Sequence, residues 1–259
     1  MTPDPRGFQP QERRTGRDSK IIRAATHIHT AHSWDSRIRH EDLAAAMTHL
    51  RVDLVLVSDH NTFDGATEFA RLCATGRLPI TVPIAAEIRT DRGDMIVVLE
   101  PGTQPPAVKA LLTWDGMRRI VPELGGLLWL PHPYRGHTGV EELAGESDVV
   151  EVFNARCTPE QDRKARLLVE RVAARHAFGA DAHRVRELDR VISEYPIKTP
   201  ATVREVFAHD AACHDPQRSP KSDRMAAEIT NGVKRRRPAL VGYFALRYLE
   251  HRVREALNR

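Results

Sequence analysis

The sequence predicts an α/β domain with a mainly parallel sheet, and three observations carry that reading. Short runs rich in Val, Leu and Ile alternate with amphipathic helical patterns along the chain. Six or seven such units follow one another, which points to a sheet closed into a barrel. Residues able to bind metal recur at the C-terminal ends of the predicted strands, the face on which such barrels build their sites.

The first strand, Ile21 to Ala25, runs into Thr26-His-Ile-His-Thr-Ala-His-Ser-Trp-Asp35. Residues two apart on a strand share a face, so His27 and His29 project together and Asp35 follows on the loop. Leu43, Ala46, Met47 and Leu50 recur at helical spacing and predict a helix over 39–50. Val52 to Ser58 is strand code, ending in Asp59-His60-Asn61-Thr62. A helix over 65–74 precedes a strand at 80–86 that delivers Glu87 at its end. Residues 92–99 read as another strand, and 104–112 and 115–124 as helices. Gly125 to Leu130 forms a buried strand closing in Pro131-His132-Pro133, and 147–153 another ending at Asn154. A helix over 159–175 precedes Ala177 to Ala180, then Asp181 and His183. Residues 201–209 read as a closing helix, and the polar, proline-containing 211–220 as an excursion or linker.

A chain of 259 residues, 41% hydrophobic, can bury a full core as one large domain or two small ones. No run approaches the ~20 apolar residues of a membrane span. Residues 1–19 are polar, carry Pro3, Pro5 and Pro10, lack a signal-peptide core, and read as a flexible leader. The barrel domain is placed at 20–210 and a basic extension at 211–259. Cys73, Cys157 and Cys213 are odd in number and far apart, which fits reduced thiols in the cytoplasm. The net charge of +4 is uneven, with Lys221, Arg224 and the run Lys234 to Arg237 near the end. Residues 238–257 form an amphipathic helix with Leu246, Leu249, Val253, Ala256 and Leu257 on one face. That face suits packing on the barrel or on a second copy in a homo-oligomer. The alternative is a basic arm for nucleic acid or an anionic membrane surface.

His27, His29, His60, Glu87, His132, Asp181 and His183 all fall at strand ends, and Asp35 and Asp94 add anionic donors. Imidazole and oxygen donors without cysteine suit zinc, manganese or iron. There are too many donors for one tetrahedral ion, so a cluster of two or three divalent ions is expected. Such clusters clamp a phosphate and deprotonate a water to make the nucleophile. Arg135 and Arg184, each beside a candidate ligand, are placed to meet phosphate oxygens, and arginine's planar fork suits that task. Asn154 and Arg156 end a strand on the same face and are candidates for substrate contact, as are Tyr134 and His137 at the mouth. Asp59 precedes His60 and is placed to orient a ligand. His32, His40, His49, His176, His209, His214 and His251 lack strand-end placement and read as structural or solvated. Cys157 has no partnered base, which argues against a thiol nucleophile.

These motifs resemble those of the polymerase and histidinol phosphatase (PHP) family of metal-dependent phosphoesterases. The resemblance rests on His27-Ile-His29-Thr30 with Ser33-Trp-Asp35, Ser58-Asp59-His60-Asn61-Thr62, Glu87 with Gly93-Asp94, Leu130-Pro-His132-Pro133, and Gly179-Ala-Asp181-Ala-His183, in the family's order over residues 20 to 210. It implies a distorted seven-stranded (β/α) barrel with three ions. By resemblance His27, His29, Glu87 and Asp181 hold the first, Glu87, Asp94 and His132 the second, and Asp35, His60 and His183 the third. A metal-bound hydroxide held at Glu87 and Asp181 is then the nucleophile, and the substrate a phosphorylated small molecule, nucleotide or oligonucleotide. Position 94 is often histidine in the family, and a carboxylate there favours manganese or iron over zinc. The short stretch from Asp94 to His132 leaves little room for the helical insertion that caps the site in the branch acting on nucleoside 3′,5′-bisphosphates. A barrel amidohydrolase acting on C–N bonds, and a non-catalytic nucleic-acid-binding scaffold, are the alternative readings.

Overall fold

The computed structural model describes residues 21–257, so the expected leader at 1–19 lies outside the described residues. The chain runs β1 (Ile22–Ile28), α1 (His40–His49), β2 (Leu54–Val57), α2 (Asp64–Thr75), β3 (Ile84–Thr90), β4 (Gly93–Leu99), α3 (Trp114–Glu123), β5 (Leu127–Leu130), α4 (Val140–Gly145), β6 (Val149–Asn154), α5 (Pro159–Val172), β7 (Arg175–Gly179), β8 (Ser193–Tyr195), α6 (Val203–Phe207), β9 (Ala212–Cys213), α7 (Lys221–Lys234) and α8 (Pro238–Leu257). No described helix is long and apolar enough to cross a membrane.

The strands form two ladders, ordered β2-β1-β8-β9 and β3-β4-β5-β6-β7. No single closed ladder is present among the described residues. Backbone hydrogen bonds join the ladders at two seams. At one, Ala180 N donates to Thr26 O (3.0 Å) and His29 N to Ala182 O (2.9 Å). At the other, Val55 N donates to Thr81 O (2.9 Å) and Asn61 N to Glu87 O (2.8 Å). The expectation of a mainly parallel sheet holds for β1, β2, β3, β5, β6 and β7: β1–β2, β5–β6 and β6–β7 are parallel, and the seams are parallel bridges of Ile28 with Ala182, Leu54 with Thr81 and His60 with Glu87. β4 and β8 run against that direction, so β3–β4, β4–β5, β1–β8 and β8–β9 are antiparallel. The cause is local: β3 turns directly into β4 with no helix between, and only a helical crossover reverses the chain between parallel neighbours.

Three further expectations change. The strand foreseen at 80–86 begins at Ile84, after Pro83, which has no N–H for a ladder, and runs to Thr90. Glu87 is therefore inside a strand and not at its end. The helix foreseen at 104–112 is reduced to one 3₁₀ turn, Val108–Leu111, because Pro105 and Pro106 restrict the chain before it. Residues 211–220 are no linker. β9 pairs with β8, Ser219 N donates to Ala155 O at 2.8 Å, and Arg218 reaches Asp162 at 2.5 Å.

Ala24, Leu54, Leu56, Ala85, Ile96, Val98, Trp129, Ala177, Tyr195 and Phe207 pack together between the sheets. Phe207 meets Trp129 and Tyr195 edge-on, with centroids 5.2 and 5.4 Å apart. α1 and α2 pack on β1 and β2 through Leu43, Met47 and Phe69. α3 and α5 cover the other sheet through Met117, Val121 and Leu168. α7 buries Ser222, Asp223, Ala227, Thr230 and Gly232, whereas α8 leaves Tyr243, Leu246, Leu249, Val253 and Leu257 exposed.

Candidate metal centre

β1 is bulged where its register against β2 shifts between Ala25 and Ile28, and His27 takes a positive φ of 59°. The two histidines still converge, with ring centroids 5.2 Å apart. His132 (φ 30°) and Asp181 (φ 47°) also sit in the left-handed region, just beyond β5 and β7. The backbone thus turns sharply at three donors to aim them inward.

The donors meet in a buried space. His27 Nε2 lies 3.6 Å from Glu87 Oε1 and 4.0 Å from Asp181 Oδ1. His29 Nε2 lies 3.5 Å from Glu87 Oε2 and 3.6 Å from Asp181 Oδ1. His132 Nε2 is 3.0 Å from Glu87 Oε1, and His60 Nδ1 is 2.9 Å from Glu87 Oε2. Asp35 Oδ2 is 3.0 Å from His183 Nε2 and 3.3 Å from His60 Nε2. Three groups of three donors emerge, His27/His29/Asp181, His27/Glu87/His132 and His29/His60/His183, each with its donor atoms within 4.8 Å of one another. Seven of the nine ligands expected from the sequence fall in these groups, and Asp35 joins them through His60 and His183.

Divalent ions fit here on the structure's own terms. His27 Nε2, His29 Nε2, Asp35 Oδ1 and His132 Nδ1 are buried without a hydrogen-bond partner. Leaving so many buried polar atoms unsatisfied is costly unless a cation supplies the missing partner.

Surrounding groups fix which ring nitrogen is free. Glu151 accepts from His27 Nδ1 (2.7 Å), Trp129 Nε1 (3.3 Å), His132 N (3.0 Å) and Asn154 Nδ2 (2.9 Å). His27 Nε2 is thereby left as a lone pair for an ion. Ser33 Oγ donates to Asp59 Oδ1 (2.6 Å) and sits 3.2 Å from His29 Nδ1. His183 Nδ1 lies 2.8 Å from Asp181 O. Lys234, at the end of α7, donates from Nζ to the carbonyls of Ala31 (2.8 Å), Ser33 (2.7 Å) and Ser36 (2.8 Å), clasping the loop that carries Asp35. Trp34 stacks on His60 with centroids 4.4 Å apart, and Arg235 lies 5.1 Å over Trp34.

The electrostatics match a cation site. Burial works against the ionised forms of Glu87, Asp181 and Asp35, yet all three are held below the usual carboxylate range. His60 and His27 act on Glu87, Arg135 and His27 on Asp181, and His183 and His60 on Asp35. His29 is pushed down by burial and by His183 and His60. Without ions, protons stand in for them: burial lowers His60, but Glu87 and Asp35 outweigh it and raise the imidazole to about 10.

Other expected residues are placed differently. Asp94 stands opposite Arg89 on the β3–β4 hairpin, one same-face step beyond Glu87, and its carboxylate is gripped by Arg89 Nε and Nη2. It joins none of the three groups. His137 donates from Nε2 to Asp94 O at 2.6 Å. Arg184 turns to α7, donating to Ala226 O (2.5 Å) and Thr230 Oγ1 (3.2 Å), and does not line the cavity. Asn154 is buried against Glu151. Asp59 holds Thr30 N (2.7 Å), Thr30 Oγ1 (2.6 Å) and Ser33, so it orders the loop and reaches the His29 ring through Ser33, not the His60 ring. Sequence reasoning missed Glu151, Lys234 and Glu187, whose Oε2 accepts from His183 N at 2.9 Å. The one hint for Glu151 was a carboxylate inside an otherwise apolar strand.

The centre opens into a cavity of 490 Å³ lined by Asp35, His60, Asp181 and His183 on one side. Arg135, Arg156, Lys221, Arg224, Met225, Glu228 and Phe244 line the rest, so α7 and α8 supply part of the wall. Arg135 Nη1 lies 2.9 Å from Asp181 Oδ2. Arg156, its side chain 9% exposed, has Nε and Nη2 buried without a hydrogen-bond partner.

Comparison with known proteins bears on the family and the fold. The chain is 30% identical over 147 residues to the uncharacterized protein MJ1587 of Methanocaldococcus jannaschii, covering 52% of this chain and 82% of that one. No family model matches. A two-domain protein of Bacteroides vulgatus containing a predicted PHP-like metal-dependent phosphoesterase superposes with a TM-score of 0.56 at 14% identity, over 75% of this chain. The chain spans 64% of that protein's length. An amidohydrolase from Chromobacterium violaceum, solved with bound sulfate and no metal, superposes with a TM-score of 0.50 at 12% identity, over 62% of this chain and 87% of that one.

Proposed function

For a chain that belongs to the family of MJ1587 and is PHP-like in its fold and its buried His/Asp/Glu clusters, we propose metal-dependent hydrolysis of a small phosphoester. One observation carries the reading: buried, unpartnered imidazole and carboxylate donors open onto a cavity walled by four cationic side chains. Bound divalent ions, manganese, zinc or iron, would supply an acidified water and neutralise charge on the phosphate. His27, His29, Glu87 and Asp181 would hold the first ion, Glu87 and His132 the second, and Asp35, His60 and His183 the third. Asp94 would complete the second after release from Arg89.

The protein's own groups do the rest. Arg135 and Arg156 meet phosphate oxygens, and their forked donors suit that geometry. Lys221 and Arg224 add charge at the rim, and Phe244 offers an apolar surface to the remainder of the substrate. A cavity of 490 Å³ suits a sugar phosphate or nucleotide. The cations favour a phosphoester over an amide, which brings no charge for them to meet. The nucleic-acid scaffold is disfavoured because Lys234 and Arg235 are engaged within the fold. The reduced thiols fit a cytoplasmic setting.

A panel of phosphomonoesters and phosphodiesters assayed with added manganese tests the proposal. Turnover is expected in the loaded protein and not in His27→Ala. Turnover by a metal-free His27→Ala protein refutes it. Asp94→Ala is expected to lower occupancy of the second ion, and unchanged metal content would remove Asp94 from the ligand set.

A further inference from the structure

Among the described residues, one grouping of metal-capable side chains stands apart from the buried centre. His32, His40 and Glu68 place their donor atoms within 4.8 Å of one another. They come from three elements: the loop after β1, the first residue of α1, and the middle of α2. His32 Nε2 lies 3.1 Å from Glu68 Oε2, and His40 Nδ1 lies 3.9 Å from the same oxygen. The two imidazole planes are within 16°, with centroids 5.4 Å apart.

Hydrogen bonding alone leaves this grouping incomplete. The 3.9 Å separation is too long for a hydrogen bond. His40 Nε2 is buried without a partner, so neither ring nitrogen of His40 is satisfied by a neighbouring side chain. Burial, and then His32, hold His40 below its ordinary value, so its imidazole is neutral and presents a lone pair. We propose that His32, His40 and Glu68 form a separate, exchangeable site for a zinc-class divalent ion, with water completing the coordination. Two imidazole nitrogens and one carboxylate oxygen suit zinc over calcium or magnesium, which take oxygen ligands.

Its setting differs from that of the buried centre. The side chains are 28%, 14% and 49% exposed, so an ion enters and leaves without opening the fold. His32 also lies on the loop that carries Asp35, with its N–H donating to Thr30 Oγ1 at 3.3 Å. An ion here would tie that loop to α1 and α2, giving free zinc a hold on one wall of the cavity from outside. The proposal stands whether or not the buried centre hydrolyses phosphoesters.

Zinc titration by equilibrium dialysis of the full chain tests it, with the metal alone as probe. The Glu87→Ala variant removes the carboxylate shared by two of the central ions, and its remaining zinc count is the baseline, in which one exchangeable zinc is expected to belong to this site. Adding His40→Ala or Glu68→Gln is expected to abolish that zinc. Equal zinc binding by Glu87→Ala and Glu87→Ala/His40→Ala overturns the proposal. Should Glu87→Ala fail to fold, His40→Ala in the otherwise native chain decides. One equivalent fewer than the unaltered protein supports the site, and an unchanged count and affinity overturns it.

Discussion

Replacing Lys234 with methionine probes how the C-terminal helices serve the buried centre. Methionine keeps much of the aliphatic stem and removes the ammonium that donates to the carbonyls of Ala31, Ser33 and Ser36. A charged donor contributes about 1.5–3 kcal/mol per buried hydrogen bond, but these carbonyls lie where water can replace it, so about 2 kcal/mol for the set is a sober figure. If loop order and ion binding are fully coupled, that loss weakens the ion at Asp35, His60 and His183 about 30-fold. Dialysed protein titrated with manganese, with ions counted per chain, reads the effect. Trp34 fluorescence follows the same loop, because Trp34 stacks on His60 whereas Trp114 and Trp129 are buried in the core. Lys234→Arg should restore part of the affinity. A Lys234→Met protein that binds the same number of ions within about twofold of the native affinity would show that the clasp is incidental to the centre.

Glu151→Gln keeps the shape and removes the charge that fixes the His27 tautomer. Metal affinity is expected to fall about 10–100-fold with little change in fold, measured by metal analysis and circular dichroism. In the ion-free protein, His60 is raised to about 10 by Glu87 and Asp35. A raised folded value contributes stability that is complete below the unfolded value near 6.5 and lost as pH climbs towards about 10. Ions need the neutral imidazole, so metal affinity should rise about tenfold per pH unit across that window while the ion-free melting temperature falls. The opposite trend in either refutes the assignment. Finally, the exposed stripe Tyr243, Leu246, Leu249, Val253 and Leu257 on α8 is expected to pair with a second copy. Leu246→Glu with Leu249→Glu should convert a dimer to a monomer in sedimentation, and a native protein that is already monomeric removes the pairing.

Most of the centre was legible because its residue types are chemically conspicuous and fall where strands end. His27, His29, His60, Asp181 and His183 needed little more than strand periodicity. Side-chain direction was not legible. Arg184 follows a ligand in sequence, yet it turns to α7, while Arg156 and Arg224 from other elements line the cavity. Glu151 lay hidden because a carboxylate in a strand reads as a solvent-facing position until its buried partners are known. Lys234 lay hidden in a basic run, which ordinarily marks a solvated face. The antiparallel hairpin was missed because strand periodicity reports which face a side chain takes and carries no information on chain direction. Residues 211–220 read as an excursion or linker from composition alone, since the backbone and arginine contacts that dock them leave no mark on hydropathy.

The left-handed backbone at His27, His132 and Asp181 sets stability against activity at single positions. Each such conformation costs a side-chain-bearing residue about 1–3 kcal/mol, and glycine adopts it without that penalty. A screen for thermal tolerance in chelator, blind to turnover, would therefore be drawn to glycine at 27, 132 and 181. The variants it rewarded would be the ones stripped of ligands. Directed improvement of this scaffold has to hold metal in the selection from the first round, because the backbone at these three positions favours losing it.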